Sequence, residues 1–97
     1  MIEKSGDALC VTGPMLVADA AGLLQAGRNL LAGSKGAAEC VVDLSSVEEA
    51  DSSALGVIFG WLRTARDMGV ALRIAHPPAG LISLAALYGV SDSLPLA

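Results

Sequence analysis

Short apolar segments of strand length alternate with longer helical segments along this chain, and glycine or proline ends most of them. The strand-like segments are ALCVT, ECVVDL and VALRIA, at residues 8–12, 39–44 and 70–75. The helical segments, in which apolar residues recur at helical spacing, are residues 17–32, 54–68 and 79–88. Because the connections between them are short, this alternation predicts a small α/β domain whose helices pack on one sheet.

Three details refine this prediction. The continuous apolar run at residues 39–44 favours a central strand covered by other elements on both faces. The segment GSKG at residues 33–36 is predicted to be a turn, since it lacks the strand and the spacing of a phosphate-binding loop. The final residues VSDSLPLA favour a turn followed by a last extended segment.

Composition limits the classes of function. A chain of 97 residues is expected to form a single domain, residues 1–97, and 54% hydrophobic residues supply a large core. The net charge of −4 and six scattered basic residues argue against nucleic acid and against direct anchoring to anionic lipid. No apolar run approaches the roughly 18 residues of a membrane span, so no direct membrane insertion is expected. The short polar segment 1–7 does not resemble a targeting peptide, and Cys10 and Cys40 are expected to be buried, reduced thiols of a cytoplasmic protein.

The residue inventory offers little catalytic chemistry. His76 is the single histidine, and it could activate a serine only if the fold brought the two together. Acidic side chains are dense near the middle of the chain, and they are interpreted as a solvated rim rather than a cation site: Asp43, Glu48, Glu49 and Asp51. We therefore predict no enzymatic activity, no cofactor and no metal.

The segment VEEADSSALG places three capping side chains in a row, Asp51, Ser52 and Ser53. Asp or Ser at the N-cap accepts a backbone hydrogen bond, and an acidic side chain favours the positive end of the helix dipole. Asp51 and one serine satisfy that need, so the other hydroxyl is available to a partner or a kinase. A helix N-terminus tolerates a phosphate, although the neighbouring acidic residues would repel it.

The helix that follows has one uncommon face. If Leu55, Ile58 and Leu62 form its buried stripe, the opposite stripe is uncharged and small or apolar. That stripe consists of Ser53, Val57, Gly60 and Thr64, with Gly56 and Trp61 beside it. We predict that it is an outward protein-contact face anchored by Trp61, and that Trp61→Ala or Thr64→Glu releases the partner without unfolding the domain. Two alternatives are that Trp61 packs on the domain's own edge and that the face mediates self-association.

The stretch VVDLSSVEEADSSALGVI resembles the STAS domain of anti-sigma factor antagonists. The resemblance implies an α/β STAS fold, a single mixed sheet of about four or five strands with three to four helices packed on it. It also implies phosphorylation of the second serine, Ser53, by an anti-sigma kinase. Ala54 stands where that family usually has glycine.

The segment from Trp61 to Leu96 resembles a narrower group, the MlaB family of stand-alone STAS subunits of Mla phospholipid transport. This resemblance implies binding to the cytoplasmic ATPase of an ATPase–permease complex, an inner-membrane ABC transporter that maintains outer-membrane lipid asymmetry. It further implies support of that complex's assembly and activity, and a cytoplasmic location peripheral to the inner membrane through the partner. In that family the hydroxyl directly after the aspartate matters, and here that residue is Ser52.

The sequence therefore leaves two functions open. The first is a non-enzymatic transporter subunit, and the second is an antagonist switched by phosphate on Ser53, with Ser52 as another possible phosphorylation site. Ala54, Trp61 and the segment LAALYGV favour the first. The predicted partner-binding residues are Asp51, Ser52, Ser53, Gly56, Val57, Gly60, Trp61 and Thr64.

Overall fold

The computed structural model describes residues 1–34 and 36–97, and these residues form four strands, three α-helices and one short 3-10 helix. The elements follow the order β1 (Ile2–Ser5), β2 (Ala8–Thr12), α1 (Val17–Gly33), β3 (Glu39–Ser46), α2 (Ser52–Asp67), β4 (Ala71–Ala75), α3 (Ala79–Leu87) and the 3-10 helix Ser91–Ser93. The predicted α/β class is confirmed. Lys35, in the predicted turn at residues 33–36, lies outside the described residues.

The strands form one mixed sheet in the order β1-β2-β3-β4. β1 and β2 pair antiparallel, and β2, β3 and β4 run parallel. The β1–β2 hairpin was not among the predicted elements. Ile2 is the only buried side chain of β1. The turn between β1 and β2 contains Gly6 at φ 61°, a left-handed conformation that glycine adopts readily.

Only one face of the sheet is fully buried. Cys40, Val42 and Leu44 of β3 lie in the hydrophobic core, whereas Val41 and Asp43 between them are half-buried. The prediction that residues 39–44 are covered on both faces is therefore wrong, because alternate side chains alone supply the contacts with the core. Cys10 lies on the less buried face and is only half-buried, so the prediction that it is buried is wrong. Both cysteines are free thiols. Burial raises the pKa of the Cys40 thiol.

Trp61 lies in the contact between α1 and α2, fully buried at 0% exposure. Its indole Nε1 donates to the carbonyl oxygens of Leu23 and Leu24, both at 3.2 Å. The ring packs against Gly27 so closely that a Cβ added there would lie 2.1 Å from Nε1. An added Cβ at Gly60 would likewise lie 2.5 Å from Leu24 Cδ1. The two helices therefore approach closely because glycine faces a large side chain at each point of contact.

This contact corrects the predicted outward face of α2. Val57, Gly60 and Trp61 are buried, and Thr64 is half-buried, where its Oγ1 accepts from Arg28 Nε at 3.2 Å and donates to Gly60 O at 3.1 Å. The stripe is small and uncharged because α1 of the same chain covers it. Trp61→Ala is consequently expected to damage the fold, contrary to the prediction from the sequence. The exposed residues of α2 are Ser52, Gly56, Arg63, Arg66 and Asp67.

The C-terminal segment runs along the outer edge of β4. Ile74 N donates to Pro95 O at 2.8 Å, and Ala97 N donates to Ile74 O at 2.9 Å. Leu94 is buried beneath this segment. The predicted turn and last extended segment are thus present, and the segment pairs with an edge of the sheet that the parallel strands leave open.

Candidate partner-docking site

The N-termini of α1 and α2 lie together at the carboxyl ends of β2 and β3. The loops that precede the two helices are joined by backbone hydrogen bonds, Met15 N to Glu49 O at 2.9 Å and Asp51 N to Met15 O at 3.3 Å. Met15 is buried, which anchors this junction to the core. The arrangement places two positive helix ends side by side.

Asp51 binds the first turn of both helices. Its Oδ1 accepts from the backbone N–H of Ser53 at 2.9 Å and from the Ser53 hydroxyl, and its Oδ2 accepts from Val17 N at 2.9 Å. α1 follows Leu16, whose side chain has no oxygen to act as a cap, so the carboxylate from the second loop supplies an acceptor. The Ser53 hydroxyl and then the Val17 N–H are the largest causes that lower the pKa of Asp51.

The two serines of this corner differ in availability. Ser53 is half-buried and its hydroxyl donates to Asp51, whereas Ser52 is exposed. A phosphate on Ser53 would remove that hydrogen bond and bring a second negative group to the Asp51 carboxylate. Ser52 is therefore the serine that can offer its hydroxyl to another molecule without rearranging the caps.

An open apolar groove begins beside Ser52. Leu55 and Phe59 of α2 line one side, and Tyr88 and Val90, which follow α3, line the other; its volume is about 360 Å³. Tyr88 is 58% exposed and Phe59 is half-buried, so both present aromatic surface to solvent. A hydroxyl next to exposed aromatic surface suits contact with a protein. We call Ser52, Gly56, Phe59 and Tyr88 the Ser52 surface.

The structure brings together only part of the predicted site. Asp51, Ser52, Ser53 and Gly56 lie at one corner, with Ser52 and Gly56 exposed. Of the other four residues, Gly60, Trp61 and Thr64 pack against α1, and Val57 is buried in the core. Phe59 and Tyr88 were missed. The segment LAALYGV pointed to the region of Tyr88, but no spacing in the sequence indicated that it meets Phe59.

The single histidine pairs with an aspartate instead of a serine. His76 Nδ1 lies 3.2 Å from Asp43 Oδ1, and the backbone N–H of Ser45 is the main cause that lowers the pKa of Asp43. Residues 1–34 and 36–97 contain no group of three or more His, Cys, Asp or Glu side chains arranged to hold a metal ion. In the same part of the chain, no helix combines the length and apolar character needed to cross a membrane.

Several solved structures share this fold. A candidate anti-sigma factor antagonist from Thermotoga maritima is 19% identical with a TM-score of 0.76, covering 99% of this chain and 83% of its own. An anti-sigma factor antagonist from Mycobacterium paratuberculosis is 23% identical with a TM-score of 0.70, covering 99% and 81%. The Bacillus cell fate determinant SpoIIAA in its phosphorylated form is 11% identical with a TM-score of 0.68, covering 100% and 89%. Identities this low establish a common fold only.

One protein family, in contrast, matches this chain by sequence over nearly its whole length. A search among curated proteins found no match. The family model described as "Mlab, STAS domain" matches residues 2–96, nearly the whole chain. The four-stranded mixed sheet and its three α-helices agree with that assignment. The chain belongs to the Mlab-type STAS domain family.

Proposed function

We propose that this chain is a non-enzymatic subunit that docks on the cytoplasmic ATPase of an inner-membrane ABC transporter and supports its assembly and activity. The transporter would move phospholipid and maintain outer-membrane lipid asymmetry. The single observation that carries this proposal is the Mlab family match over residues 2–96. The chain would then be cytoplasmic and would reach the inner membrane through its partner.

The Ser52 surface is the docking site that best fits the geometry. Ser52 offers an exposed hydroxyl, Gly56 leaves room for close approach, and Phe59 and Tyr88 offer apolar area. Asp51 holds the corner by binding both helix ends. In this proposal Trp61 and its neighbours act indirectly, since they fix α2 against α1.

Affinity purification of the tagged protein from its own host in mild detergent tests the proposal. Recovery of an ABC ATPase with its permease is expected, and Ser52→Glu should remove both. Glutamate in the first helical turn is compatible with the helix dipole, so the fold should persist. Ser5→Glu, an exposed serine on the hairpin, is the matched control and should retain the partners. Equal recovery with Ser52→Glu would exclude this surface.

A second function has support from the structural relatives. Three of them are described as anti-sigma factor antagonists or as SpoIIAA, one of these in a phosphorylated form. In this alternative a kinase-type anti-sigma factor phosphorylates Ser53 and so disrupts binding. The Ser53–Asp51 hydrogen bond would then be the contact that the phosphate replaces.

Phosphorylation separates the two functions. Incubation with the cognate anti-sigma kinase and ATP should leave no phosphate on Ser53 if the chain is a transporter subunit. The alternative expects stoichiometric phosphate on Ser53, loss of binding in Ser53→Asp and retention in Ser53→Ala.

A further inference from the structure

The groove beside Ser52 continues along α2 into a larger one. Phe59 lines both, and the larger groove has a volume of about 500 Å³ between α2 and the C-terminal segment. Leu62, Val70 and Pro95 supply its apolar lining. We call the two grooves together the α2 trough. From Ser52 to Arg66 it follows fifteen residues of helix, about 21 Å at the usual rise per residue.

Two arginines distinguish the half of the α2 trough that lies farther from Ser52. Arg63 and Arg66 lie along its α2 side and are both exposed. Within residues 1–34 and 36–97, neither guanidinium has a carboxylate oxygen within 4.0 Å, whereas Arg73 pairs with Glu39 at 3.2 Å. Two unpaired arginines beside an apolar groove are conspicuous in a chain of net charge −4. They complement carboxylates on a molecule that also has apolar side chains.

We propose that the α2 trough binds an acidic, amphipathic segment of the partner protein, with its apolar side chains beside Phe59 and its carboxylates against Arg63 and Arg66. The inference rests on docking at Ser52, because the trough begins there and extends that surface. The span of about 21 Å suits a helix of about 14 residues. Asp92 lines the opposite wall of the trough, so the carboxylates of the bound segment are expected on the α2 side, against Arg63 and Arg66.

Peptide selection tests the chemistry of the trough and does not require a purified partner. A library of random 14-residue peptides displayed on phage is selected on the purified full chain. We expect enrichment of peptides with Asp or Glu three or four positions from Leu, Phe or Trp. Synthetic versions should bind wild type, and Arg63→Glu should weaken them at least about tenfold through loss and reversal of the charge contact. Lys4→Glu has the same charge change at an exposed hairpin residue and should alter binding less than about twofold.

Three results would overturn the inference. They are selection of no peptide above background, selected peptides without enrichment in acidic residues, and binding that Arg63→Glu and Lys4→Glu weaken equally. Co-purification distinguishes this failure from that of the proposed function. If the ATPase is lost with Ser52→Glu but retained with Arg63→Glu, binding in the trough is excluded and docking at Ser52 is supported. If acidic peptides bind through Arg63 but no ATPase is recovered, binding in the trough is supported and the transporter function is excluded.

Discussion

Two faces of α2 differ in what covers them. The face that contains Gly60 and Trp61 is buried against α1, whereas the face that begins at Ser52 and includes Gly56 is open to solvent. The buried face carries no charge, whereas the open face continues along α2 to Arg63 and Arg66. The absence of charge on a helix face therefore predicted a contact, but the contact is with α1 of the same chain and not with another protein.

The largest effect on stability is expected at Trp61, the side chain on which the buried face of α2 depends. Trp61→Ala removes the indole and leaves a cavity between α1 and α2, so we expect a loss of about 3–5 kcal/mol in the free energy of unfolding. Urea denaturation followed by circular dichroism measures it. A variant as stable as wild type would mean that the α1–α2 contact does not depend on the indole.

The next effect comes from the glycine that faces the ring. Gly27→Ala places a Cβ 2.1 Å from the indole Nε1, and the resulting overpacking should cost about 1–3 kcal/mol. Gly22→Ala is the matched control on the same helix, because nothing lies within 4 Å of the added Cβ. The control should gain up to about 1 kcal/mol from the helix propensity of alanine. Equal effects of the two substitutions would contradict the close packing at Gly27.

At the open corner, Asp51→Ala should lower Tm because both helix ends lose an acceptor. The folded state lowers the pKa of Asp51, so its contribution is present above the ordinary carboxyl pKa and is lost as pH falls through the lowered value. The Tm difference from wild type should therefore shrink on acidification. Thermal melts at neutral and acidic pH measure it, with Glu48→Ala, an exposed residue of the same loop, as the control. A difference that is constant with pH would exclude this role of the carboxylate.

The smallest effects should separate the two serines. Ser52→Ala is expected to change stability by less than about 0.5 kcal/mol, because the side chain is exposed and makes no hydrogen bond in the described residues. Ser53→Ala removes the hydroxyl that donates to Asp51 and should be the more destabilising of the pair. Chemical denaturation of both variants under one buffer condition checks the order. The reverse order would show that Ser52, not Ser53, belongs to the capping network.

Much of the fold was predictable because helices and strands here have clear periods and glycine or proline ends. The strand β1 was not predictable, because its one buried residue, Ile2, produces no alternation of apolar and polar residues. Within the site, the capping chemistry of Asp51 was visible locally in the sequence. The burial of Trp61 was not, because periodicity on α2 cannot show that Gly27, 34 residues earlier, faces it. The meeting of Phe59 and Tyr88 also joins elements far apart in the chain.

The burial of Trp61 against α1 distinguishes the buried face of α2 from the face that is open at Ser52. The chain has one tryptophan, so its intrinsic fluorescence reports Trp61 alone. In the native protein we predict blue-shifted emission and weak quenching by acrylamide, both changing to the values of a solvated indole only on unfolding. Red-shifted emission with strong quenching in the folded protein would show that Trp61 is exposed to solvent and would contradict its burial between α1 and α2.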